Sequence, residues 1–202
     1  MLCEEENNNN KVIFLGESSV GKTNLIKISI GKPFDPQSLS TWTSSYVHKE
    51  IIHNNKKYIF NLWDTIGQEK YRALTKLFFK NAIIVILVYD ITKRASFEAL
   101  EFWVNEVKDI LENNCIFAIV ANKSDLFDVE EVPVEEGEEY AKSKGAKFIL
   151  TSAKIDPTGF TKFLEKLCKE YIDKNKDIQN QKGLSIKGKN LINNDNKGKK
   201  CC

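Results

Sequence analysis

The chain has 202 residues, 42% of them hydrophobic and 29% charged, with a formal net charge of +2. That length suits one globular domain with some residues left for extensions, and the composition is that of a core-forming protein, which excludes global disorder, a collagen-like fibre and a disulfide miniprotein. The apolar run Ile83 to Tyr89 is far short of the roughly 18 to 20 residues needed to span a bilayer, and the opening MLCEEENNNN is acidic and polar where a secretory leader is basic and then apolar. The expectation is therefore a chain on the cytoplasmic side.

Residues 1 to 10 are rich in Asn and Glu and offer nothing to bury, so they read as a disordered leader. From Lys11 the pattern changes. Val12 to Leu15 form a short apolar run that reads as a buried strand ending at Gly16, and a helical run begins after Thr23. The segment KEIIHNNKKYIFNLW reads as two strands joined at Asn54-Asn55, because Asn tolerates positive φ in a tight hairpin. AIIVILVYD, CIFAIVAN and KFIL are continuous apolar runs, each suited to a strand buried on both faces of a parallel sheet. Between them Phe97, Leu100, Trp103, Val104, Val107, Ile110 and Leu111 recur at helical spacing, and Pro133 opens an acidic helix that closes at Lys142, Lys144 and Gly145. Phe160, Phe163, Leu164, Leu167, Cys168 and Tyr171 form the stripe of a last helix. Alternation of strand and helix predicts an α/β domain over about residues 11 to 172, with a mostly parallel sheet covered on both faces.

Beyond Ile172 the chain is rich in Lys, Asn and Gly without a period, which reads as a flexible tail over 173 to 202. From Lys174 to Lys200 there are eight Lys and two Asp, a balance of +6, so the rest of the chain carries −4. A negative body argues against nucleic acid as a partner, and a basic tail suits either anionic lipid headgroups or a solvated spacer. Of the five cysteines, Cys115 and Cys168 read as core thiols, Cys3 is uninformative, and Cys201 and Cys202 form a terminal pair with no core to join.

The chemistry concentrates in two short segments. Gly16-Glu17-Ser18-Ser19-Val20-Gly21-Lys22-Thr23 matches G-x-x-x-x-G-K-[ST] between a predicted strand and a predicted helix that continues through Asn24. Such a loop must wrap a polyphosphate closely enough for consecutive N–H groups to point inward, and the helix N-terminus adds partial positive charge. Lys22 would reach the β and γ phosphates, and the Thr23 hydroxyl would ligate Mg²⁺. Asn122-Lys123-Ser124-Asp125 falls at the carboxyl end of a predicted strand, where open α/β sheets place ligands. A carboxylate at Asp125 can accept from the N1–H and 2-amino group of guanine, an edge that adenine lacks; taken alone the segment also reads as a solvated turn.

Together these segments resemble the Rab family of the Ras superfamily of small GTPases. The resemblance runs over about residues 11 to 172 and the C-terminus, on GESSVGKT, Thr41, Trp63-Asp64-Thr65-Ile66-Gly67-Gln68-Glu69, NKSD and Thr151-Ser152-Ala153-Lys154. It implies a P-loop NTPase small G domain with a mostly parallel six-stranded sheet, helices on both faces, and GTP or GDP bound with Mg²⁺. It further implies that Phe34 and the Lys123 stem cover the two faces of the guanine, although Phe34 alternatively reads as a core anchor. Ala153, flanked by Ser152 and Lys154, would donate its N–H to the guanine O6, and Asn122 would tie the base-binding loops together. Thr41 and Asp64 would join Thr23 around Mg²⁺, Gly67 would meet the γ phosphate, and Gln68 would orient the attacking water.

Tyr46, Trp63 and Phe78 fall where the family presents aromatics to effectors, with a buried core role as the alternative for Trp63. Cys201-Cys202 resembles the ending that carries two geranylgeranyl groups. The resemblance also implies a monomeric G domain that cycles between cytosol and the cytoplasmic face of an endomembrane. Its partners would be an exchange factor, a GTPase-activating protein, a GDP dissociation inhibitor or escort protein, and effectors. Two departures stand out: Thr41-Trp42-Thr43-Ser44-Ser45-Tyr46 lacks the usual glycine and acid of the first switch, and Ile66 replaces a small residue beside the γ phosphate. Ile66 and Ser18 leave open a second reading, a scaffold that holds GTP with very slow turnover. An ATP-using P-loop kinase is opposed by NKSD.

Overall fold

Val12, Ile13, Phe14 and Leu15 are apolar at every position because the strand that carries them is buried on both faces. Val12 and Phe14 point into one core cluster, while Ile13 and Leu15 point into the other. The computed structural model describes the backbone of residues 5–38, 45–65, 79–111 and 115–192, and the side chains of those from 10 to 176.

The strands are β1 (Glu5–Leu15), β2 (Ser45–His53), β3 (Lys56–Asp64), β4 (Ala82–Asp90), β5 (Ile116–Asn122) and β6 (Lys147–Leu150). They form one six-stranded sheet in the order β2-β3-β1-β4-β5-β6. Only β2 and β3 pair antiparallel, through the hairpin at Asn54 and Asn55 with φ of 50° and 60°, as two asparagines permit. The other pairings are parallel. β1 stands between β3 and β4, so the order reverses there, and the loop after β1 opens into the crevice where such sheets bind ligands.

The helices are α1 (Lys22–Ser29), α2 (Arg94–Glu98), α3 (Leu100–Leu111), α4 (Val134–Lys144) and α5 (Pro157–Ile192). On one face α1 and α5 supply Leu25, Phe160, Leu164, Leu167 and Cys168 to a core shared with Val12, Phe14 and Phe60. On the other face Phe97, Trp103, Val104, Val107 and Ala141 close over Ile13, Leu15, Val85 and Leu87. Truncating a fully buried aromatic here, such as Phe14 to Ala, should cost about 3 to 5 kcal/mol. α4 carries Glu135 and Glu136 in its first turn and Lys142 and Lys144 in its last, each sign opposing the helix dipole, and stops at Gly145 with φ 70°.

Several boundaries differ from expectation. β1 begins at Glu5, inside the segment read as a leader, because the start of β3 extends far enough to pair Glu5 with Lys57 and Glu6 with Tyr58. α5 continues past Ile172 to Ile192, since a helix whose first turns are packed adds further turns at little cost. The stripe from Phe97 to Leu111 is two helices meeting at Ala99. Cys168 is fully buried, but Cys115, just before β5, is only partly covered against the second core cluster.

Candidate functional site

The loop between β1 and α1 closes tightly at two glycines. Gly16 has φ +138°, and a Cβ there would stand 2.2 Å from the Val88 carbonyl oxygen; Gly21 has φ +102°, and a Cβ there would stand 2.3 Å from Asn122 Nδ2. Neither position admits a side chain. Ser19 lies between them with φ 64°. α1 starts with no side-chain cap and no acid in its first turn, and a helix N-terminus of that kind favours an anion.

Lys22 is buried, and its Nζ donates across the loop to the carbonyls of Gly16 at 2.9 Å and Glu17 at 2.8 Å. Burial pushes the ammonium down to about 8, against the pull of the Asp64 and Glu17 carboxylates. Val20 is fully buried, and its carbonyl accepts from the Asn122 side chain.

The metal-binding expectation falls on Thr23 and Asp64. Parallel pairing sets Asp64, at the end of β3, beside Phe14, and the Thr23 hydroxyl donates to Asp64 Oδ2 at 2.7 Å. Thr65 then pins the backbone by donating from Oγ1 to the Phe14 carbonyl at 2.5 Å. Asn24 also lines the cleft, and its side chain ties the cleft to the next segment: Nδ2 donates to the Asp35 carbonyl at 3.0 Å and Oδ1 accepts from the Asp35 N–H at 2.9 Å. With the Lys27–Asp35 ion pair at 2.9 Å, this fixes the segment that carries Phe34. Phe34 lines the cleft and also packs against the first core cluster.

The base-binding expectation falls on two loops that close on each other. Asn122 Nδ2 donates to the Val20 carbonyl at 2.8 Å, and Asn122 Oδ1 accepts from the Ala153 N–H at 3.2 Å. One side chain therefore joins three loops, and the Ala153 N–H assigned to a guanine oxygen rests on Asn122. Asp125 is held by the Ser152 hydroxyl at 2.5 Å and by Lys154 Nζ at 3.8 Å. Lys123, with φ 69°, places its Nζ 2.6 Å from Asp90 Oδ2.

These residues line one cleft of about 460 Å³, from Ser18, Ser19, Gly21, Lys22 and Thr23 at one end to Asn122, Lys123, Asp125, Ser152, Ala153 and Lys154 at the other. Asp35, Pro36, Ser38 and Leu126 also line it and were not anticipated. Asp90 was missed too: the sequence shows only an acid closing an apolar run, and its register with Asn122 comes from the fold. Thr41, Ile66, Gly67, Gln68, Phe78, Cys201 and Cys202 lie outside the described residues. Trp63 is half-buried, with Tyr46 stacked on it at 4.9 Å and Lys11 Nζ 4.5 Å from its ring centre.

A phosphate-type loop and a base-type loop on one six-stranded sheet define a nucleotide-binding G domain. Residues 11–173 match the model of the Ras family. Among curated proteins the chain is similar to the Ras-related protein Rab-31 of Rattus norvegicus and of Homo sapiens, 38% identical over 144 residues that cover 71% of this chain and 74% of each relative. It is also similar to the GTP-binding protein ypt3 of Schizosaccharomyces pombe, 35% identical over 154 residues that cover 75% of this chain and 72% of that protein. The chain belongs to the Rab family of the Ras superfamily and is a small GTPase, an enzyme class that hydrolyses GTP to GDP and phosphate.

Proposed function

We propose that this GTPase is a membrane-trafficking switch whose guanine specificity resides in Asp125 and whose phosphate and Mg²⁺ chemistry resides in Lys22, Thr23 and Asp64. One observation carries the reading: the cleft that holds Lys22 at one end holds a buttressed carboxylate at the other. Two acceptors fixed at the base end match the two donors on the guanine edge. Adenine would bring no matching pair of donors to that carboxylate, and sites built to hydrogen-bond a ligand reject analogues lacking the partner by several orders of magnitude.

The residues fit a hard divalent cation. Thr23 and Asp64 bring a hydroxyl and a carboxylate within 2.7 Å of each other, both oxygen donors of the kind Mg²⁺ prefers. When bound, the ion would neutralise charge on the β and γ phosphate oxygens. Lys22, held over the loop by two carbonyls, is positioned to exchange them for phosphate oxygens. Thr41 completes the metal shell in this reading, Gly67 donates to the γ phosphate, and Gln68 orients the hydrolytic water.

The GTP-bound form would order the two switches and present Tyr46, Trp63 and Phe78 to effectors. An exchange factor, a GTPase-activating protein and a GDP dissociation inhibitor or escort protein would run the cycle. Among the described residues no helix is long and apolar enough to cross a membrane. Attachment to an endomembrane is assigned to lipids on Cys201 and Cys202, aided by the basic tail.

The test is displacement of fluorescent GDP from the purified protein by GTP, ATP and XTP. GTP should compete and ATP should not, and Asp125→Asn should shift preference toward the xanthine nucleotide. ATP competing as well as GTP would overturn the assignment.

A further inference from the structure

Asp90 is fully buried at the last position of β4, opposite Asn122 in the parallel register. Its two carboxylate oxygens are divided. Oδ1 accepts from the Thr92 N–H at 3.0 Å and from the Thr92 hydroxyl at 2.7 Å. Oδ2 faces the Lys123 ammonium at 2.6 Å. The backbone of Asp90 is fixed as well, its N–H donating to Ser96 Oγ at 3.0 Å and its carbonyl accepting from the Lys93 N–H at 3.0 Å. The carboxylate has no freedom to follow Lys123, so Lys123 is held to it.

Lys123 sits between Asn122 and Asp125 in a left-handed backbone conformation that L residues adopt at a cost. Lys123 is one of the residues that line the cleft. A lysine stem free in solvent samples many rotamers, and ordering it on a ligand face costs on the order of 1 to 2 kcal/mol. With the ammonium tethered to a buried carboxylate, that ordering is complete before a nucleotide arrives.

We propose that Asp90 is a positioning residue for nucleotide binding, clamping the Lys123 ammonium so that the lysine stem forms a preordered wall of the base end of the cleft. The proposal rests on the reading of Lys123 as a cover for the base. Asp90 touches no ligand and acts through Lys123, by the general rule that preorganisation slows release.

The experiment is release of fluorescent GDP into excess unlabelled GDP at fixed Mg²⁺, from the full chain and five variants. Asp90→Asn should speed release about tenfold, and Lys123→Met should speed it at least as much. Their combination should be no faster than Lys123→Met alone, because each breaks the same clamp. Thr92→Val, which loses only the hydroxyl bond to Oδ1, should change release less than twofold. Asp90→Glu keeps the charge but moves it by one methylene, and it should also release faster, giving a second reading should Asp90→Asn fail to fold. Multiplying effects in the double variant would overturn the proposal, as would unchanged release in a folded Asp90 variant while Lys123→Met is fast. Unchanged release in Lys123→Met would instead remove the parent reading of Lys123.

Discussion

Gly21 and Asn122 are locked face to face: the Asn122 Nδ2 that donates to the Val20 carbonyl at 2.8 Å would stand 2.3 Å from any Cβ placed on Gly21. The phosphate loop and the base loop thus share one contact. Gly21→Ala should push Asn122 away and force a side chain into φ +102°, with GDP affinity falling at least about a hundredfold, as expected when packed binding geometry is displaced. A fluorescent GDP titration checks it, and unchanged affinity would mean that the two loops move independently.

Lys22 gives a pH signature. Burial holds its ammonium near 8 in the free protein, below the ordinary 10.5. Polyphosphate oxygens would restore the charged form, so nucleotide binding should take up a proton between those two values. With a bound lysine fully charged, uptake should be about 0.75 proton at pH 8.5 and about a quarter at pH 7.5. In the nucleotide-free protein the sign is the corresponding one: the unfolded lysine binds more protons over this window, so the Lys22 contribution to stability rises as pH climbs from 8 toward 10.5. Calorimetry of GDP binding in buffers of different ionisation enthalpy measures the uptake, and none at pH 8.5 would contradict the buried, depressed lysine.

The terminal cysteines make a separate prediction. One prenyl-type chain is held only marginally, and stable anchoring takes two signals. Cys201→Ser with Cys202→Ser should leave GDP binding intact and move a tagged chain from the membrane pellet to the soluble fraction. Each single change should give an intermediate distribution. A double variant that still pellets would point to another anchor.

The parts of this site that local chemistry dictates were legible in the sequence. Gly16 and Gly21 sit where the chain must take positive φ, Lys22 and Thr23 follow at fixed spacing, and the apolar runs with their Asn54-Asn55 turn mark the sheet. What was hidden depends on distant residues meeting. Nothing near Asn24 in sequence announces that its amide will close on the Asp35 backbone. Asp90 is 33 positions from Lys123, and only the parallel register of β4 and β5 brings them together. The length of α5 escaped for another reason: its Lys-rich and Asn-rich second half has no apolar period, and its helicity propagates from the packed first turns.

Ile66 gives a prediction about the rate of the reaction. The backbone immediately before it is pinned: Asp64 accepts from Thr23, and Thr65, 1% exposed, donates to the Phe14 carbonyl at 2.5 Å. That anchor fixes where the chain enters the segment that begins at position 66. Isoleucine adds three carbons to the alanine usual in the family and is stiff at χ1. Gln68, assigned to hold the attacking water, is two residues further on. Displacing a nucleophile by about 1 Å can cost on the order of a hundredfold in rate. The expected outcome is slow intrinsic hydrolysis and a bias toward the GTP form, with Ile66→Ala speeding single-turnover hydrolysis of preloaded GTP about tenfold or more. The comparison is made at matched Mg²⁺ and full loading, with GDP release measured in parallel to confirm that the cleft itself is unchanged. Equal rates for the two proteins would show that the segment beyond Thr65 absorbs the branched side chain, and the idea of an impeded switch would fall.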